Sequence, residues 1–118
     1  MSNVFKNKLD TFKSDLTGEE REYTANNYLW LVLQDKFGMT QSEFNRKLDD
    51  SEDMAVLEIT TAILIANGLD VTVEEVAENT TPEMTNEFYT NFIKAAYPSR
   101  AEYLEMAQQA NRETEIEK

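Results

Sequence analysis

The sequence predicts an all-α single domain of about six helices packed around one central hydrophobic helix at residues 52–67, and three observations lead there. Ten of the thirteen residues from Met54 to Ala66 are apolar, and they lie on every side of a helical wheel. Such a run is longer than the roughly four to eight residues of a buried strand, and a helix that is apolar all round belongs inside a fold. Gly18, Gly38, Gly68, Pro82 and Pro98, the only glycines and prolines, fall where a helix would start or stop. Finally, no period-two alternation is visible, while pairs with capping-box spacing recur along the chain.

The first helix is expected from about Ser2 to Ser14 or Leu16, because Phe5, Leu9, Phe12 and Leu16 form a narrow apolar seam with Lys6, Lys8 and Lys13 away from it. Thr17 and Glu20 have the spacing of a capping box for a second helix that ends at Gly38. Its segment Tyr28 to Leu33, YLWLVL, covers nearly the whole circumference, so either the fold encloses it or a partner covers it. Thr40 and Glu43 open a short helix through Leu48. Asp50 to Asp53 then supplies capping oxygens and negative charge for the central helix, which Asn67-Gly68 ends, with Leu69 folding back onto Leu64.

Thr72 and Glu75 cap a brief turn through Glu78, which must be held by Val73, Val76 and Ala77 packing on a neighbour. Thr81-Pro82 starts a helix to about Ala96. Met84, Phe88, Tyr89, Phe92, Ile93, Ala95, Ala96 and Tyr97 spread over about 220° of its wheel, well beyond the ~100° that packing on a core requires. Ser99 and Glu102 cap a last helix with Tyr103, Leu104, Met106, Ala107 and Ala110. Residues 1–112 are thus expected to form one domain and residues 113–118 a frayed acidic tail.

Composition narrows the chemistry. The 118 residues carry a net charge of −12 and contain no cysteine and no histidine. Disulfides and the usual zinc, iron and copper sites are therefore unavailable. Residues 1–50 hold seven basic and nine acidic side chains, and residues 51–118 hold four and fourteen, so the second half is the acidic half. That surface repels nucleic acid and anionic membranes. No stretch has the ~20 apolar residues that span a bilayer, and the start has no signal-peptide core, so a cytoplasmic location is expected.

Three local patterns have plainer readings than the chemistry they suggest. Counted from Asp49, an EF-hand loop would put Met54 at its glycine and Thr60 at its closing glutamate, so Asp49 to Asp53 reads as a helix N-terminus. Glu74, Glu75 and Glu78 read as a solvated helix face, not paired catalytic carboxylates. MTQSEFNRKL, Met39 to Leu48, resembles the first helix of a helix-turn-helix, but the helix after it offers Glu52, Asp53, Glu58 and Thr61 and no Arg or Lys for DNA. No P-loop, dinucleotide fingerprint or nucleophile–histidine pair fits the composition, so neither enzyme nor cofactor is expected.

The surplus apolar circumference on the second helix and on the helix from Pro82 points to a protein that shields the apolar helices of another, with Tyr28, Trp30, Phe88, Tyr89, Phe92, Tyr97 and Tyr103 as candidate partner-binding residues. A small, acidic, cysteine-free helical chain whose hydrophobic helix runs into ANGLDVTVEEVAENTTPEMTNEFYTNFIKAA, Ala66 to Ala96, resembles the tail assembly chaperones of long-tailed bacteriophages. The likeness covers roughly residues 20–100 and rests on element order. It implies a non-structural, homo-oligomeric protein in the host cytoplasm that keeps the aromatic-bearing helices of the tape measure protein soluble during tail assembly. The alternative class is a small acidic phage inhibitor that blocks a basic cleft of a host enzyme, with Glu74, Glu75, Glu78, Glu83 and Glu87 making the contact.

Overall fold

A computed structural model of the chain describes residues 4–99. The helix expected after Ser99, with Tyr103, and the acidic tail lie outside the described residues. Within them the fold is not all-α. A two-stranded antiparallel sheet, β1 Thr11–Ser14 and β2 Arg21–Thr24, precedes five helices: α1 Tyr28–Phe37, α2 Gln41–Asp50, α3 Glu52–Ala66, α4 Val73–Asn79 and α5 Pro82–Ala96.

The central position belongs to α3, which packs against α1, α2, α4 and α5. Nine of its residues are buried, on all sides of the helix, including Ala55, Ile59, Thr60, Ala62 and Ile63. One of the nine is charged: Glu58 forms an ion pair with Lys47 of α2, which removes the cost of an isolated buried carboxylate. The helix closes in a Schellman motif. Gly68 N–H donates to Ile65 C=O at 2.9 Å and Leu69 N–H to Leu64 C=O at 3.1 Å, which needs Gly68 at φ 90°.

The other helices start where local hydrogen bonds put them. At α2 the capping box is complete: Glu43 N–H donates to Thr40 Oγ1 at 3.2 Å and Thr40 N–H donates to Glu43 Oε1 at 3.1 Å. The bond from Thr40 N–H holds the Glu43 carboxyl below the usual carboxylate range, so its contribution is present above that range and fades as pH falls through the lowered value. Thr72 Oγ1 accepts from Glu75 N–H at 3.1 Å for α4, and Thr81 Oγ1 from Met84 N–H at 3.3 Å for α5.

The N-terminal region overturns the helical expectation. The seam Phe5, Leu9, Phe12, Leu16 does not form a helix: Phe5 and Leu9 are exposed, whereas inward positions recur every second residue, at Phe12 and Ser14 of β1 and Leu16 just after it, and at Tyr23 of β2 and Ala25 just after it. Spacings of two and of four coincide at Phe12 and Leu16, so the helical pattern also contained a strand pattern. Thr17 caps no helix. Its hydroxyl donates to Glu19 C=O and accepts from Arg21 Nε, inside a hairpin loop where Gly18 N–H bonds Asp15 C=O at 2.9 Å and Gly18 sits at φ 97°. The second helix therefore begins at Tyr28, not near Thr17.

Isolated two-stranded hairpins are marginal in water, so this one needs support. Phe12 and Tyr23 are direct cross-strand partners with ring centroids 5.5 Å apart, and both rings meet Phe88 of α5 edge-on at 5.2 Å. Beyond α3, Asn67 completes the ladder. Its Oδ1 accepts from Thr24 N–H at 2.9 Å, and its Nδ2 donates to Thr24 C=O at 3.4 Å and to Ile63 C=O at 2.9 Å. One side-chain amide thus ties the strand edge to the end of the central helix. Asn67→Ala is expected to cost about 1–2 kcal/mol in denaturant unfolding, with amide exchange at Thr24 accelerating before exchange in α3.

Burial pushes the Tyr23 phenol above its ordinary value of 10.0, against the opposing influence of Thr17 and Arg21. The folded state therefore holds the phenolic proton more tightly than the unfolded chain. That stability is fully present below the unfolded value and is lost as pH rises through the folded one. Thermal midpoints measured from about pH 9 to about pH 11 should fall more steeply for the natural chain than for Tyr23→Phe.

Candidate partner-binding surface

The wheel of α1 has a solvent side. Leu29, Val32 and Leu33 are buried against the core, Trp30 and Phe37 flank them half-buried, and Tyr28 and Leu31 face outward at 54% and 64% exposure. Asp35, four residues after Leu31 and seven after Tyr28, lies on the same outer stripe. Tyr28 N–H is held by Asn26 Oδ1 at 3.0 Å, which fixes the first turn and with it the direction of that stripe.

Two of the candidate rings converge on one support. Phe44 of α2 is fully buried, and Trp30 meets it edge-on at 5.9 Å while Tyr89 of α5 meets it edge-on at 6.2 Å. Tyr89 also stacks on Phe92 at 6.4 Å. Helices α1, α2 and α5 thus bring a partly buried indole and a partly buried phenol to the same buried ring. Rings braced in this way lose little side-chain freedom on binding, which favours them as contact anchors.

Phe88 and Phe92 lie elsewhere. They are 1% and 2% exposed, and the hairpin covers them: Phe12 touches Phe88 at 5.2 Å and Phe92 at 6.3 Å. The broad apolar face of α5 is occupied on one side by Phe12 and Tyr23 and on the other by Phe44, so most of its surplus width is met within the chain. Tyr97, half-buried, closes α5 with its N–H bonded to Ile93 C=O at 2.8 Å. Tyr103 lies outside the described residues.

Sequence reasoning did not single out Leu31 or the role of Phe44. The available signal for Leu31 was Asp35 on the same side one turn later, which marks a solvent face that YLWLVL alone conceals. Other large exposed apolar side chains among the described residues are Met54 at the start of α3 and Val4, Phe5 and Leu9 in the segment ahead of β1.

The described surface is strongly acidic. No lysine or arginine occurs from residue 48 to residue 93, while eleven carboxylates do. Among them Glu74, Glu75, Glu78, Glu83 and Glu87 are exposed on α4 and α5. Among the described residues no group of three potential metal ligands converges, and no helix is long and apolar enough to cross a membrane. Comparison of the chain with protein-family models, with curated proteins and with solved structures finds no match.

Proposed function

We propose that this protein is a non-enzymatic assembly chaperone that binds an apolar, aromatic-bearing helix of a client through the patch formed by Trp30, Leu31 and Tyr89. The observation that carries this reading is the pair of partly buried rings, Trp30 and Tyr89, braced on buried Phe44 beside exposed Leu31. An amphipathic helix laid across such a patch buries its apolar face and leaves its polar face in water. The phage resemblance names the client class as the tape measure protein of a long tail, and the acidic body keeps the loaded complex soluble.

Trp30 is the only tryptophan, so its fluorescence reports directly on the patch. Titration with a synthetic amphipathic peptide from an apolar helical segment of a phage tape measure protein should shift its emission to the blue. Tyr89→Ala should weaken binding by about tenfold or more, as expected for an anchor ring. Unchanged Trp30 emission at saturating peptide would sink the reading.

A second reading rests on the basic-free stretch from residue 48 to residue 93. Its exposed carboxylates on α4 and α5 would fit a basic cleft of a nucleic-acid enzyme. Salt separates the two readings. Binding through the carboxylates weakens steeply between low and high ionic strength, whereas burial of apolar surface on Trp30 and Tyr89 is not screened.

A further inference from the structure

A groove opens at the turn end of the hairpin. Its cavity of about 490 Å³ is floored by Leu16, Leu64, Val76 and Met84 and rimmed by Asp15 and Glu75, and among the described residues no lysine or arginine lines it. Leu64 and Val76 are buried in its floor, and both acidic side chains are exposed at its rim. The volume lies within the range of cavities that hold compact apolar groups.

The segment ahead of β1 is its chemical complement. Residues 4–9 belong to neither a helix nor a strand, carry Lys6 and Lys8, and contain no carboxylate. Phe5 is 79% exposed and Leu9 49% exposed. In an extended chain Phe5 and Leu9 fall on one side and Lys6 and Lys8 on the other, because side chains alternate. A short cationic arm with two large apolar side chains thus sits on a body whose groove is apolar below and anionic at the edge.

The arm does not serve its own groove. Ala25 N–H bonds Asp10 C=O at 3.2 Å, which holds Asp10 at the end of the ladder opposite the Asp15–Gly18 turn. Leu9 is one residue from that anchor, and the strand from Asp10 to Ser14 carries the chain about 13 Å the other way. Only the arm of another chain places both Phe5 and Leu9 at the groove.

We infer that two copies of this chain associate by arm exchange: Phe5 and Leu9 of each copy seat on Leu16, Leu64, Val76 and Met84 of the other, with Lys6 and Lys8 facing Asp15 and Glu75. The exchange is reciprocal, so it closes as a two-fold dimer and does not propagate. It uses a surface separate from the Trp30 and Tyr89 patch, so failure of either leaves the other standing. The paired lysines also offset part of the repulsion between two bodies that each carry −12.

Light scattering on a size-exclusion column tests this with the full chain. The natural protein should run at twice its chain mass, and Phe5→Asp/Leu9→Asp should run at a single chain mass with an unchanged far-ultraviolet circular dichroism spectrum, since both residues are exposed in the single chain. Two charge-swapped chains make the test specific. Lys6→Glu/Lys8→Glu sets an acidic arm against an acidic groove, and Asp15→Lys/Glu75→Lys sets a basic arm against a basic groove, so each alone should be monomeric. Mixed, each arm meets a groove of opposite charge and a mixed dimer should form. A monomeric natural protein at every concentration, a dimer that survives Phe5→Asp/Leu9→Asp, or swapped chains that do not combine would each overturn the inference.

Discussion

Replacing Phe88 with alanine is expected to lower the stability of the fold by about 3–5 kcal/mol, the cost of deleting a fully buried aromatic ring and leaving its space unfilled. Phe88 is 1% exposed and is the meeting point of Phe12 and Tyr23, each with a ring centroid 5.2 Å away. Its removal takes away the ring on which the hairpin rests as well as the apolar area it buries. Because native domains are stable by only about 5–15 kcal/mol, the variant should unfold at markedly lower urea concentration. The loss should appear first in the hairpin, as faster amide exchange in β1 and β2 than in α3. Phe5→Ala, at a residue equally aromatic but 79% exposed, should stay within about 0.5 kcal/mol under dilute conditions. Equal effects at the two positions would contradict the placement of Phe88 beneath the hairpin.

The second large effect is expected at the ion pair between α2 and α3. Lys47→Met leaves Glu58, whose side chain is 12% exposed, without a counter-charge inside the contact between the two helices. Removing one partner of a fully buried pair costs about 3–5 kcal/mol; Lys47 keeps 34% of its side chain in water, so about 2 kcal/mol is expected here. The double variant Lys47→Met/Glu58→Leu should recover most of that loss, because replacing a buried pair with apolar side chains is close to neutral. Denaturant unfolding of the two single variants and the double closes the cycle. Additive losses would show that the two side chains act independently.

These variants divide the fold into a part that is legible locally and a part that is not. Thr40 with Glu43, Thr72 with Glu75 and Thr81 with Pro82 mark helix starts through bonds that span three residues, and the structure places α2, α4 and α5 at those positions. The Schellman closure at Gly68 is equally local. The all-round apolar pattern of residues 54–66 was enough to bury α3, since no single stripe could satisfy it. Of the rings proposed to bind a partner, Tyr28 is exposed and Trp30 and Tyr89 are partly exposed, whereas Phe88 and Phe92 carry the same aromatic pattern on α5 and lie under the hairpin.

By itself, the sequence determined the caps and stops of the later helices, the central place of α3 and the acidic character of the second half, because each depends on neighbours in the chain or on composition. Only the tertiary structure decided that residues 11–24 form a hairpin, that α1 begins at Tyr28 with Leu31 facing water, and that the chain's own Phe12 and Tyr23 cover Phe88 and Phe92. The physical reason is that Phe12 and Leu16 suit a helix or a strand equally well by spacing. The choice between them is made by rings on α5 and by the Asn67 amide, far along the chain, whose contacts with β1 and β2 a short isolated segment does not possess.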